Sequence, residues 1–415
     1  MNRTALLIGI AFGTATAALI SCGGGGTGTG SMPGTPVAPP AAGPAAGEPF
    51  ALNVAAPPPA ASSGVTPRLT VFASGLASPW AMAFLPDGRI LVTQKAGTLV
   101  LLSADGQSIS APIAGVPAVD ASGQGGLLDV AVDPQFGVNR RLFLTYSEPG
   151  TSGDNGTAVA RATLSQSGSA LENVEVIFRQ TPKKAGTTAH YGSRIAFRAD
   201  GTLFVTLGER SAYADEAQSL TSHLGKVVRI NPDGSFPADN PFASQGGNAG
   251  AIWSYGHRNP QAAAVHPGTG ELWVAEHGPQ GGDEVNFALA GRNFGWPRVS
   301  YGCSYGAPVG TACRIGGGMH SAPYTPPLAY WDPTSTAPGG MLFYTGASFP
   351  EWQGSLFVGG LAGRTLWRFQ LDGSAIVGQE PLFSGQHEIR DLRQGPDGWI
   401  YLISRNTSQI LRIER

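Results

Sequence analysis

One pattern recurs six times along this chain and decides what it can fold into. AMAFLPDGRILVT runs from Ala81 to Thr93, and LLDVAVDPQFGVNRRLFLTYS from Leu127 to Ser147. SRIAFRADGTLFVTLGE starts at Ser193, QAAAVHPGTGELWVAEHG at Gln261, GMLFYTGASFPEWQGSLFVGGL at Gly340 and IRDLRQGPDGWIYLIS at Ile389. Each is a short apolar strand, a turn built on Pro, Asp or Gly, and a second strand rich in Leu, Ile, Phe and Val. That is hairpin chemistry. Over residues 69–415 the hairpins recur about every 58 residues, the span of a propeller blade with loop insertions. So many antiparallel strands must hide their edges, and radial closure hides them. The expected architecture is all-β: one domain over residues 67–415, a six-bladed β-propeller of four-stranded antiparallel sheets. RLTVFASGL, from Arg68, is expected to pair with the terminal QILRIER and close the ring. A pair of β-sandwiches is the competing architecture. Helix is scarce, with DEAQSLTSHLGK the best candidate for a turn or two.

Composition agrees. The 415 residues include 60 Gly and 33 Pro, and only 13% are charged, the profile of short strands joined by tight turns. The formal net charge of −2 points to no nucleic-acid surface.

The chain opens MNRTALLIGIAFGTATAALISC. Arg3 followed by a short, interrupted apolar run suits an export signal over residues 1–21 better than a membrane span. Leu19-Ile20-Ser21-Cys22 resembles a bacterial lipobox, in which the cysteine carries lipid; a plain secretory leader is the alternative. Residues 22–66, rich in Gly, Ala and Pro, cannot bury enough surface to offset their ordering entropy and are expected to form a flexible tether. Localisation is thus expected to be exported and periplasmic, with the membrane reached only through lipid at Cys22. The remaining cysteines, Cys303 and Cys313, flank a short Gly/Pro loop. They suit a small disulfide-closed loop in an oxidising compartment, with two free thiols the alternative.

Four loop stretches beside different hairpins carry chemistry. They are ASGQGGLLD with Gln124, AHYGSR with His190, WSYGHRNPQ with His257, Arg258 and Asn259, and AEHGPQGGDEVNFALAGRNFGWP with Gly278, Pro279, Asp283 and Glu284. A histidine takes a proton from a hydroxyl near neutral pH. An arginine stabilises negative charge growing on an oxygen. Asn259 and Gln124 offer directional hydrogen bonds. Main-chain oxygens at Gly278 and Pro279 are hard donors suited to Ca²⁺. Together these groups suit oxidation of an alcohol by a quinone. Each has a plainer reading in isolation, and His257, His266 and His277 are expected to be structural.

Taken in order, GQGGLLDVAVDPQF, HYGSRIAF, LGKVVRINPDGSFPADNPF, IWSYGHRNPQ, EHGPQGGDEVN and NFGWP resemble the soluble PQQ-dependent sugar dehydrogenases. The likeness is greatest to the periplasmic aldose dehydrogenase branch of the glucose/sorbosone dehydrogenase family, and it spans residues 69–415. The resemblance implies a six-bladed propeller that oxidises a sugar substrate to its lactone, with PQQ and Ca²⁺ as cofactors and an unidentified electron acceptor. It implies His190 as general base and Arg258 as the group polarising the quinone carbonyl. Gln124, Asn259 and Arg390 are implied partners of the cofactor. The carbonyls of Gly278 and Pro279 are implied Ca²⁺ ligands, and Glu284 with the carbonyl of Phe294 a second, structural Ca²⁺ site.

Three positions depart from the family pattern. Ala362 stands where a lysine is frequent, Glu388 where the first arginine of Arg-x-Arg-Asp is frequent, and Ala189 precedes the base in place of Asp or Asn. The first two positions face the cofactor's carboxylates in the family, so weakened PQQ binding is expected, at about 1.5–3 kcal/mol for each lost charge-assisted bond. The alternative function is a non-catalytic propeller of the same family that binds a glycan or a protein partner. A Ca²⁺-dependent lactonase is a third reading, disfavoured because no cluster of carboxylates lies at the expected loops.

Overall fold

The computed structural model describes residues 57–60 and 63–415. The expected leader, Cys22 and residues 22–56 of the expected tether lie outside the described residues. At the described end of that segment, Ala60 N–H donates to Gln379 O and Gln379 N–H to Pro58 O, both at 2.8 Å, and Val65 packs against the core of the last two blades.

All six expected hairpins form, and each is the inner pair of strands of one blade of a six-bladed propeller. The inner pairs are Pro79–Phe84 with Ile90–Gln94, Leu127–Val132 with Arg141–Pro149, and Ile195–Phe197 with Leu203–Leu207. The others are Pro260–Val265 with Leu272–Glu276, Pro338–Phe343 with Leu356–Gly360, and Ile389–Gln394 with Ile400–Ser404. In the first blade only three strands pair continuously. Residues 109–113 run along its third strand, with Ser110 N–H on Leu101 O and Ile113 N–H on Leu99 O, in the place of a fourth. The second blade gains the short strand Lys184–Ala185 beside its third strand, Asp154–Leu164. The expected helical segment yields only a five-residue 3₁₀ turn, Ala214–Gln218.

The ring closes as expected. Arg68–Ala73 is the outermost strand of the last blade, with Arg68 opposite Glu414 and Leu69 opposite Ile413. The two ends of the domain are thus bonded in one sheet, which leaves no frayed edge. Six apolar clusters fill the six gaps between neighbouring blades. Trp80, Leu91 and Leu99 of the first blade meet Leu128, Leu144 and Ala160 of the second. Met82 and Val92 on the other face of the first blade meet Ile403 and Ile410 of the last. Both faces of each sheet are therefore buried, and truncating a fully buried residue such as Leu144 to Ala should cost about 2–5 kcal/mol.

The channel holds a charged buttress. Arg194, in the third blade and 1% exposed, donates from Nε to Gln261 O at 2.8 Å and from Nη2 to Arg390 O at 2.7 Å and to Gly339 O. Its Nη1 lies 3.2 Å from Asp129 and 3.0 Å from Asp391. Asp391 accepts Met82 N–H from the first blade at 2.9 Å. One arginine and two aspartates thus tie the innermost strands of all six blades. All six inner strands begin at the same end of the ring, so the loops that precede them share one mouth.

Candidate active site

A cavity of about 360 Å³ opens at that mouth. Its wall includes Trp80, Lys95, Gln124, His277, Glu388, Arg390 and Arg405, contributed by the first, second, fourth and sixth blades. Of the residues singled out in the sequence, Gln124 and Arg390 line it, as do the departing positions Ala362 and Glu388. Arg258, Gly278, Glu284 and Phe294 line a small adjoining cavity, and His277 lines both. His190 and Asn259 line neither, but are bonded to the walls.

His190 sits in the loop before the third inner strand, 7% exposed, with φ of +53°. Its main-chain N–H donates to Gln124 Oε1 at 2.9 Å, which ties the residue to the main cavity's wall. Its Nδ1 is 3.1 Å from Glu209 Oε2. Since a carboxylate only accepts, Nδ1 carries the proton and Nε2 keeps its lone pair. Burial pushes the His190 pKa below 6.5; Glu209 opposes this, and Arg258 and Arg210 add to it. Around Glu209, Arg210 and Ser211 also hold positive φ, at 66° and 62°. Such backbone costs about 1–3 kcal/mol per residue, and it clusters where a side chain must be aimed.

Arg258 belongs to the turn before the fourth inner strand. Its carbonyl accepts Glu209 N–H at 3.0 Å, so His190, Glu209 and Arg258 form one connected unit. Its N–H donates to Glu276 Oε2 at 2.7 Å. The guanidinium lies over the Trp296 ring, 5.2 Å from its centroid. Nη1 donates to Gly278 O at 2.8 Å and to His277 O at 3.2 Å, while Nη2 reaches the Tyr305 hydroxyl at 3.2 Å. Asn259 Oδ1 accepts Gly192 N–H at 3.1 Å, two residues beyond the base. Asn259 Nδ2 and Arg258 Nε are buried donors with no protein partner. Buried donors are rarely left so; Arg258 lines the small cavity, and the Asn259 carbonyl accepts the N–H of His277, which lines both cavities, at 3.2 Å.

Gly278 is a glycine because a Cβ there would collide with the backbone of Gly281 and Gly282. The bend exposes its carbonyl, which already accepts Arg258; Pro279, which follows it, lines neither cavity. Glu284 is fully buried beside Glu276, and Asn286 Nδ2 bridges them at 3.2 and 2.9 Å. Burial first, then the Glu276 charge, raises the Glu284 pKa well above the usual carboxylate range. Both carboxylates and Phe294 border the small cavity, where about 10 Å³ is open to the centre of a water molecule, room for one small occupant. Asn286 Oδ1 is a further buried acceptor without a partner. Among the described residues no group of three or more His, Cys, Asp or Glu side chains is gathered, so a cation here would rest partly on carbonyl oxygens.

The glucose/sorbosone dehydrogenase family profile matches residues 76–412. The aldose sugar dehydrogenase of Escherichia coli K12 is 40% identical over 351 residues, which cover 84% of this chain and 93% of that protein. The chain belongs to the glucose/sorbosone dehydrogenase family, a family of oxidoreductases. The crystal structure of the E. coli soluble aldose sugar dehydrogenase in its apo form superposes with a TM-score of 0.77 at 39% identity, covering 84% of this chain and 99% of that one. The PQQ-bound aldose sugar dehydrogenase of Streptomyces coelicolor gives 0.68 at 28% identity, covering 86% and 99%.

Within this family, several residues of the site escaped the sequence reading. Glu209 lies in LGER, with nothing local to mark it; only the fold brings it to His190. His277, expected to be structural, bonds Pro338 O through Nε2 at 2.8 Å, yet it also lines both cavities. Burial pushes its pKa down to about 3, so it is neutral at physiological pH. Cys303 and Cys313 are joined, with Cα atoms 5.2 Å apart. The loop they close carries Tyr305, 71% exposed, onto Arg258. Glu388 is not a bare negative charge. Arg364 Nη2 meets its Oε1 at 2.9 Å and Arg405 Nε its Oε2 at 2.8 Å.

Proposed function

We propose that this protein is a PQQ-dependent aldose sugar dehydrogenase that oxidises the anomeric carbon of aldoses to lactones, with His190 as general base. The observation that carries this reading is the His190–Glu209 pair, which fixes the tautomer and leaves Nε2 able to accept a proton. The PQQ-bound relative from S. coelicolor supports the cofactor. So do this chain's own groups: the unpartnered donors of Asn259 and Arg258, and a cavity wall carrying Lys95, Arg390 and Arg405, suit a planar, multiply anionic ring.

Bound PQQ supplies a two-electron acceptor. His190 Nε2 takes the anomeric hydroxyl proton as the sugar gives up its C1 hydrogen with the bonding electron pair. The aldose thereby loses two electrons and two protons. Gln124 holds the base by its main chain while its own side chain borders the cavity. Arg258 would supply positive charge to the bound acceptor, and Asn259 Nδ2 would offer it a hydrogen bond. Ca²⁺ fits Glu284 with the Phe294 carbonyl, where two buried carboxylates lack a counter-charge. At Gly278 and Pro279 a cation would share the Gly278 oxygen with the Arg258 guanidinium. The leader ending at Cys22 and the Cys303–Cys313 disulfide support an exported, lipid-anchored periplasmic protein.

The full chain loaded with PQQ and Ca²⁺ should reduce a dye with aldoses and release a lactone. His190→Ala should abolish turnover while PQQ still quenches tryptophan fluorescence. Undiminished turnover in that variant overturns the assignment of the base. Failure to reduce dye with any aldose overturns the dehydrogenase reading.

A further inference from the structure

The charges around the main cavity are arranged differently from what Ala362 and Glu388 imply on their own. Three cationic side chains, Lys95, Arg390 and Arg405, line it with one carboxylate, Glu388, leaving an excess of two positive charges. Glu388 is consumed locally. Both its oxygens are taken, by Arg364 outside the cavity and by Arg405 on its wall. The same pair of residues is locked by the backbone, since Arg405 N–H donates to Glu388 O at 2.8 Å and Asn406 Oδ1 accepts Glu388 N–H at 2.9 Å. Arg405 is still 58% exposed, so its remaining donors face solvent or a ligand. The trio of Arg364, Glu388 and Arg405 carries one net positive charge.

From the neighbouring first blade, Lys95 Nζ donates to Ala121 O at 2.7 Å, beside the Gly123–Gln124 wall. A lysine ammonium has three donors, so two remain. On the same cavity wall Arg390 donates from Nη1 to Gln261 Oε1 at 2.7 Å and lies over Trp80, 5.5 Å from the ring centroid. Burial, followed by Arg194 and Arg405, presses its pKa down to about 9, so an anion brought alongside is favoured.

We propose that Arg405 and Lys95, which share the cavity wall with Arg390, are carboxylate-binding residues for the quinone tricarboxylate, and that Glu388 fixes Arg405 in place instead of repelling the ligand. This rests on the reading that the cavity takes PQQ. It reverses the expectation drawn from the sequence that Glu388 and Ala362 simply weaken binding, because Lys95, which follows the first hairpin, and Arg405, which leaves the hairpin that Glu388 enters, stand in for the lost cations.

The test is titration of the metal-replete apo full chain with PQQ, followed by tryptophan quenching at several salt concentrations. Arg405→Gln and Lys95→Gln should each raise the Kd about tenfold or more and flatten its salt dependence, with Tm unchanged. Arg405→Lys should recover part of the loss, since charge returns without the planar fork. Glu388→Gln leaves a binding-competent pocket, with a Kd shift smaller than that of Arg405→Gln. Wild-type binding with both Gln variants within twofold of it overturns this inference and leaves the dehydrogenase reading standing. Absence of quenching by PQQ in the wild-type protein instead removes the reading on which it rests.

Discussion

His190 Nδ1 lies 3.1 Å from Glu209 Oε2, and the two residues come from the loops that enter and leave one hairpin in the third blade, at the same end of it. The contact makes a pH prediction. In the proposed reaction the neutral ring is the base, and burial, reinforced by Arg258 and Arg210, holds its pKa under 6.5 against the pull of Glu209. kcat/KM should therefore rise with pH through an inflection below 6.5 and stay level above it. Glu209→Gln removes the group that raises the pKa and steadies the tautomer. It should move the inflection lower and reduce kcat/KM by about 10²-fold. A pH–rate profile that superposes on the wild type between pH 5 and 8 would show that Glu209 does not position the base.

Tyr305 gives a second prediction. Its ring is exposed, yet it stands on a loop pinned by the Cys303–Cys313 bond and by Gln280, whose N–H and carbonyl pair with Cys303 and whose Nε2 reaches Ala307 O at 2.8 Å. An aromatic face held this firmly above Arg258 suits stacking on a sugar ring. Tyr305→Ala should raise KM for aldoses roughly tenfold with kcat little changed, whereas Tyr305→Phe should stay near the wild type. A fall in kcat with KM constant would assign the tyrosine to Arg258 and not to the sugar.

The ring was legible in the sequence because hairpins are local: Asp87-Gly88 and Asp397-Gly398 each mark their own turn, and the terminal strands face each other once six blades are counted. The Cys303–Cys313 loop was legible for the same reason. The site was legible only where it lies in runs such as YGHRNP and EHGP. Glu209 was not, because its partner is set by a strained turn that no pattern of residue types declares. The ion pairs of Glu388 were not legible for a related reason. Its neutralising partners, Arg405 and Arg364, lie 17 and 24 residues away, and only the pairing of strands shows that they converge. Arg194, within HYGSR, passed for part of the motif around the base, but its guanidinium turns into the channel to hold the blades.

Acid stability follows from His223, 3% exposed. Its Nδ1 accepts Thr181 N–H at 3.2 Å and its Nε2–H bonds Asn248 O at 3.0 Å, so both ring nitrogens are committed to the neutral form. Burial pushes its pKa from 6.5 to about 4. Between those values the unfolded chain binds the proton and the folded chain does not, so stability falls as pH falls and levels off below about 4. The loss amounts to roughly 3 kcal/mol for this one residue. His223→Gln should be less stable at pH 7 but should lose less between pH 7 and pH 4, as denaturant midpoints at each pH will report. An equal loss in both proteins would place the acid sensitivity elsewhere.

Glu284 makes the last prediction. It shares a small buried cavity with Glu276, whose own oxygens are already engaged by His257 Nδ1 at 2.8 Å, Arg258 N–H at 2.7 Å and Asn286. Glu284 has only Asn286 at hydrogen-bonding distance, with His320 Nε2 3.8 Å away, and burial holds that imidazole near pKa 4, hence neutral. Burial beside Glu276 disfavours the ionised Glu284 side chain, so without a cation folding must either keep that charge or take up a proton, and Glu284→Gln should stabilise the protein when a chelator is present. The wild type should gain stability from Ca²⁺, about 2.7 kcal/mol at a hundredfold excess over Kd, seen as a rise of a few degrees in Tm. That rise should vanish in Glu284→Gln, because the remaining carboxylate is already satisfied. A Ca²⁺-dependent rise that survives the substitution would move the ion to the Gly278–Pro279 bend. Absence of any rise in the wild type would mean that the buried pair shares a proton instead.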